Sequence, residues 1–303
     1  MAVRNEQVRR RARSAIVYPL ALAGVLTLNA CAPGVLSPAG PVAAGERTIL
    51  FNALAIMMLI VVPTIVVTLG FAWWFRAGNK RATYRPTWSY SGRIELLVWS
   101  VPALIVIFLA GLTWIGTHQL APERPLVSKR KPVMVQVVAL DWKWLFIYPE
   151  QGIATVNRLV IPAGTPIAFR ITSGTVMNSF FVPQLGSQIY AMSGMDSRLH
   201  LQADKPGRFH GLSAHYSGEG FADMDFSVDA LPATQFADWV TRTKAAGPVL
   251  DGQGLAALSR PTVNVAPRGY RAVMPGLYDR IVANAGVGVH DEARSGREDN
   301  HVR

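Results

Sequence analysis

Between Arg47 and Arg76 the chain runs for 28 residues, from Thr48 to Phe75, without one formal charge. A second charge-free stretch extends from Leu96 to about Gly116. A helix needs roughly 20 apolar residues to cross the hydrocarbon of a bilayer, and core helices of soluble proteins are rarely apolar on every face. Trp73 and Trp74 close the first run and Trp114 lies near the end of the second, where aromatic side chains settle at a membrane–water boundary. Pro63 falls within the first run, as a candidate kink, and Pro102 near the start of the second. The chain is therefore expected to cross a membrane twice, over 48–75 and 95–116.

The placement of charge orients these spans. The net charge of +11 resembles the footprint of a nucleic-acid-binding protein until it is located. Residues 1–30 contribute +4, and 76–93 contribute +5 from Arg76, Lys80, Arg81, Arg85 and Arg93 with no acid, whereas 117–303 carry only +3. Basicity confined to a leader and a short connection is membrane-topology charge, and it argues against a nucleic-acid partner. The positive-inside rule puts the loop 76–94 in the cytoplasm. Both outer ends, a segment 31–47 and everything from 117 onward, then face the periplasm.

The leader agrees. Arg4, Arg9, Arg10, Arg11 and Arg13 precede an apolar run from Ala15 to Leu28, too short to span and of the form of a signal peptide over 1–30. It closes on Leu28-Asn29-Ala30-Cys31, which resembles a bacterial lipobox. Cys31 is the only cysteine, so no intramolecular disulfide can form, and it stands where a lipid anchor would be attached. The resulting expectation is a multi-pass, lipid-anchored protein of the bacterial inner membrane, with its C-terminal domain in the periplasm.

Past a proline-containing linker (117–132) the pattern changes to short β-type runs: Val133–Val138, Val156–Ile161, Ile167–Thr172, Ser179–Pro183, Arg198–Leu201, Gly207–Leu212 and Asp225–Val228. Turn material separates them, as in Pro162-Ala163-Gly164-Thr165-Pro166 and Lys205-Pro206-Gly207. Periodicity implies an all-β sandwich over 133–230 and goes no further. Phe236, Trp239 and Val240 then recur at helical spacing ahead of Gly247-Pro248, and a second helical piece is expected over 277–283. These lie in a C-terminal arm over 231–285, packed on the sandwich or on a partner, and the polar residues 286–303 are expected to be disordered.

Three segments give the sandwich a family. Asp141-Trp142-Lys143-Trp144-Leu145-Phe146, Asn178-Ser179-Phe180-Phe181-Val182-Pro183 and the loop Ser213–Met224 resemble subunit II of haem-copper terminal oxidases. The second segment and Tyr216-Ser217-Gly218 bring the chain nearest the bo-type quinol-oxidising branch of that family. The resemblance covers most of 45–230 and implies a cupredoxin-like Greek-key sandwich on an α-helical membrane hairpin. In copper-bearing members the loop binds a dinuclear copper centre. Laid on it, this chain has Ser213 and Ser217 at the thiolate positions, Asn178 and Phe221 at the histidine positions, and only Met224 unchanged. His215 stands where a glutamate binds through its backbone carbonyl.

The substitutions bear directly on chemistry. A mixed-valence copper pair needs bridging thiolates and imidazoles, soft or borderline donors suited to Cu(I)/Cu(II) cycling. Serine is a hard oxygen donor without an accessible anion, asparagine offers a weak amide oxygen, and phenylalanine offers nothing. A chain so built implies no metal or other cofactor of its own, with the haems and one copper in subunit I. Electrons would then come from ubiquinol rather than cytochrome c, and the partners would be subunit I, the other oxidase subunits and the bilayer. The alternative is the electron-transfer subunit II of a cytochrome c oxidase with an altered copper site; a separate candidate is a new mononuclear site of His215 with His210 or Met224.

Two further positions carry family roles. Trp142 matches the electron-entry tryptophan, which without copper behind it reads as an aromatic closing one end of the sandwich. The family's Lys-x-Asp appears as Gln188 and Tyr190, and Lys143 adds a cation beside Trp142, both unfavourable to a basic cytochrome c that prefers an acidic face. Glu95 opens the second span, where a carboxylate suits the helix dipole. The resemblance also places it at the entrance of a proton pathway into subunit I, and the two roles are compatible.

Overall fold

The computed structural model describes residues 34–83 and 85–284. The leader, Cys31 and the tail 286–303 lie outside the described residues. Two long helices come first, α1 (Pro41–Trp74) and α2 (Gly92–Gln119), both long and apolar enough to cross a membrane and unburied by the rest of the chain over their most apolar stretches. Their side chains, such as Leu59 and Leu96, are left for lipid or for a partner. Both helices exceed the spans expected from charge. A 34-residue helix is about 50 Å long, against a hydrocarbon core of about 30 Å. The helix is longer than the charge-free run: Pro41 is preorganised for the first helical turn, and Glu46 and Arg47 lie within the helix ahead of that run. The helix continues through Pro63.

The surplus length of α1 fastens it to the sandwich. Val42 and Ala43 are buried, Ala39 N donates to Gln184 O (2.7 Å), Ala43 N to Leu185 O (3.3 Å) and Asp204 N to Ala39 O (2.9 Å). Ser187 donates its hydroxyl to Glu46. Gly40 is required here, because a Cβ would stand 2.0 Å from the carbonyl oxygen of Gln202. The basic connection between the helices therefore lies at the end away from the sandwich.

The sandwich comprises β1 (Val133–Leu140), β2 (Lys143–Tyr148), β3 (Ile153–Val156), β4 (Arg158–Pro162), β5 (Ile167–Ser173), β6 (Asn178–Val182), β7 (Gly186–Ala191), β8 (Ser197–Leu201), β9 (Gly207–Ser213) and β10 (Asp225–Leu231). The arm adds α3 (Ala233–Ala245), β11 (Val249–Leu250), α4 (Gly252–Leu258), β12 (Arg268–Tyr270), β13 (Ala272–Val273) and a helical segment over 277–284. One sheet has the order β12-β3-β2-β1-β5-β8 and the other β4-β10-β9-β6-β7. Parallel pairing of β1 with β5 and of β4 with β10, amid antiparallel neighbours, gives the cupredoxin-like Greek-key arrangement.

The run Val156–Ile161, expected as one strand, is two. Asn157 adopts φ 52°, in the left-handed region that asparagine tolerates better than most residues, and the chain passes there from one sheet to the other. Its side chain holds the crossing: Oδ1 accepts from Trp144 N (2.8 Å) and Nδ2 donates to Val265 O (2.8 Å).

Every residue of β2 is buried, because each face has its own core. Trp144, Phe146 and Tyr148 point between the sheets, where Phe169, Phe180 and Phe226 meet them. Leu145 and Ile147 point outward into a second core with Val138, Val156, Leu258, Tyr270 and Tyr278. The arm thus packs on the outer face of the first sheet. Trp239 of α3 reaches the inner core, 5.3 Å from Tyr148 ring to ring.

Candidate functional site

The six positions of the altered copper loop gather at one end of the sandwich. Asn178 opens β6 and Ser213 closes β9, strands held in register by the pairs Phe180–Ser213 and Phe181–Leu212. The loop folds back so that Ser213 N donates to Met224 O (3.1 Å), and a tight turn over Phe221–Asp223 brings Met224 into the core. Asn178, Ser213 and Met224 are buried; His215, Ser217 and Phe221 are half-buried.

The polar atoms satisfy one another. Ser213 Oγ donates to Asn178 Oδ1 (3.1 Å), and Asn178 Nδ2 donates to Val176 O (3.1 Å). Ser217 Oγ lies 3.8 Å from Met224 Sδ, the reach of a weak sulfur acceptor. Phe221 stands edge-on to Tyr216 at 5.6 Å and His215 edge-on to Tyr190 at 5.9 Å. A bridged copper pair does not fit this donor set. The amide and hydroxyl oxygens are hard donors committed to each other, the one sulfur is a thioether, and no thiolate or second imidazole is present. Among the described residues no group of three or more His, Cys, Asp and Glu side chains comes together.

His210 does not join His215 or Met224. It is three residues from Ser213 in β9, and an odd spacing along a strand reverses the face. Phe209, Gly211 and Ser213 point inward, whereas the exposed His210 turns outward to within 3.8 Å of Asp225.

Trp142 caps the loop. At φ 59° its backbone turns sharply ahead of β2, and its indole N–H donates to Ser217 O (3.0 Å). The ring lies so close to Gly220 that a Cβ there would approach it to 2.5 Å.

Lys143 corrects the reading from sequence. It is 1% exposed and presents no cation to a docking partner. Its ammonium donates to three carbonyls, those of Asp141 (2.8 Å), Leu258 (2.9 Å) and Arg260 (2.9 Å), which matches its three N–H bonds. Burial lowers its pKa from the usual lysine value. Only Gln188 and Tyr190 remain, exposed on β7, as the positions where the expected acid is missing. The segment after Arg260, which sequence reasoning did not connect to the site, runs beside the loop: Asn264 Nδ2 donates to Asp223 Oδ2 (3.3 Å), and Val263 touches Gly220.

Glu95 sits exposed in the first turn of α2, at the end of the hairpin away from the sandwich.

Residues 150–231 match the family model of the cytochrome c oxidase subunit II periplasmic domain. The chain is 50% identical over 263 residues to a cytochrome bo(3) ubiquinol oxidase subunit 2 of Pseudomonas aeruginosa, covering 87% of this chain and 80% of the relative. It is 48% identical over 279 residues to a ubiquinol oxidase subunit 2 of Acetobacter aceti, covering 91% and 90%. A cytochrome bo(3) ubiquinol oxidase subunit 2 of Pseudomonas putida is 48% identical, with 90% and 88% covered.

Proposed function

The chain belongs to the subunit II family of haem-copper ubiquinol oxidases, and from that premise we propose that it is a redox-silent subunit of its complex. The reaction served is oxidation of ubiquinol coupled to reduction of oxygen to water, with the haems and one copper in subunit I. The observation that carries the proposal is the Asn178–Ser213 hydrogen bond, which occupies with oxygen and amide groups the place where the family's copper members put sulfur and imidazole. Purification of the complex from detergent-solubilised membranes tests it. Ubiquinol is expected to drive oxygen uptake, reduced cytochrome c is not, and copper should not exceed one per complex. A second equivalent of copper held by this chain would sink the reading.

The topology is part of the proposal. With the sandwich and the lipid-bearing Cys31 in the periplasm, the basic loop and Glu95 lie on the cytoplasmic side. A carboxylate at the mouth of a span can collect protons for a relay in subunit I. Replacing it, as Glu95→Gln, keeps the helix start but removes the titrating group. Turnover and protons pumped per electron, measured in reconstituted vesicles, are both expected to fall. Unchanged oxygen uptake and pumping would remove Glu95 from the pathway.

A further inference from the structure

We propose that the connection between α1 and α2 holds the headgroup of an anionic phospholipid in a cleft lined by Trp74, Phe75, Arg81, Thr83, Arg85 and Trp88. The proposal goes beyond the subunit's role in the oxidase and rests on the topology only for which leaflet supplies the lipid. The cleft, about 550 Å³, lies at the end of α1, where the exposed rings of Trp74, Phe75 and Trp88 meet the basic loop.

The cations of this loop divide by use. Arg76 is spent on the helix end: it stacks 4.7 Å above the Trp73 ring and donates to Trp73 O (2.8 Å). Asn79 secures the same end through Trp74 O (2.6 Å). Arg81 and Arg85 form no ion pair among the described residues, and no carboxylate occurs anywhere in 76–93 to compete for them. Two guanidinium groups beside a wall of aromatic rings match the two halves of a lipid's polar end. A guanidinium binds phosphate oxygens in pairs, and tryptophan prefers the glycerol and acyl-ester depth of the bilayer. A zwitterionic lipid brings its own ammonium towards the same arginines, so a net-anionic headgroup such as phosphatidylglycerol is preferred.

The test uses the whole detergent-solubilised oxidase, stripped of lipid and titrated with short-chain phosphatidylglycerol or phosphatidylcholine, with bound lipid counted by native mass spectrometry. The wild type should retain phosphatidylglycerol in preference to phosphatidylcholine. Each arginine near an anionic headgroup contributes about 1 kcal/mol, so Arg81→Gln with Arg85→Gln should weaken retention of the tightest phosphatidylglycerol about thirtyfold. Trp88→Ala, which leaves the charge intact, should weaken it as well, and together with Arg85→Gln alone it carries the test if the double variant fails to assemble. Equal retention by the double variant, equal binding of the two lipids, or displacement of the lipid by inorganic phosphate would overturn the proposal. Retention in detergent does not depend on which leaflet the loop faces, so this failure is distinct from failure of the topology.

Discussion

Replacing Trp144 with alanine is expected to destabilise the periplasmic sandwich by about 3–5 kcal/mol, the range for deleting a large buried aromatic side chain. Such domains are held by only about 5–15 kcal/mol in total, so the oxidase should lose most of its correctly assembled subunit. Trp144 is completely buried, with ring centroids 5.5 Å from Phe180 and 5.7 Å from Phe226. These two rings stack on each other at 5.3 Å, so the cavity would open at the centre of one continuous aromatic group. Trp144→Phe distinguishes the cause. Among the described residues the indole N–H finds no hydrogen-bond partner, and a buried donor left unpaired is costly in itself. Losing it offsets part of the lost contact, so phenylalanine should cost about 1–2 kcal/mol. Thermal inactivation of the solubilised complex, with immunodetection of this subunit, measures both. Equal losses for the two variants would show that filling the centre of the aromatic group is not what makes Trp144 indispensable.

The membrane hairpin was legible because lipid imposes one rule on every residue of a span, and 28 consecutive uncharged residues obey it. The helix ends were not, since Ala39 and Ala43 are fixed by carbonyls of the turn between β6 and β7, more than a hundred residues away. Strands with one wet face, such as β9 with His210 outward and Phe209 and Gly211 inward, announced themselves by alternation. Alternation failed where both faces are covered: β2 reads as an unbroken apolar run behind Lys143, whose burial depends on an arm more than a hundred residues further on. The split at Asn157 was hidden for a related reason. The residue types on either side all suit a strand, and only the distant partners Trp144 and Val265 show that the chain changes sheets. The altered loop was legible position by position through resemblance, because the spacing of 213, 217, 221 and 224 is kept. That Ser213 and Asn178 would bond to each other was not, since it depends on the register between β6 and β9.

Lys143 provides the second large effect, and it concerns the arm. Lys143→Met keeps the unbranched side chain as far as Cε but leaves the carbonyls of Asp141, Leu258 and Arg260 without their donor. Hydrogen bonds to a charged group contribute about 1.5–3 kcal/mol each, and relief from burying the ammonium offsets part of their loss, for a net destabilisation of about 2–4 kcal/mol. The damage should be local first. Two of the three acceptors belong to the end of α4 and the segment behind it, so 250–270 should become accessible to protease and to amide exchange before the inner core does. The pH dependence supplies an independent readout. Burial lowers the pKa of Lys143 below its ordinary value of 10.5, so between the folded value and 10.5 the unfolded chain binds more protons than the folded one. Stability therefore gains from this group as pH rises through that window, and below it the full penalty of burying the charge applies. The methionine variant has no proton to release and should lack that gain. If the wild type and Lys143→Met lost thermal stability in parallel across the alkaline range, with 250–270 equally protected in both, the ammonium would not be what holds the arm to the sandwich.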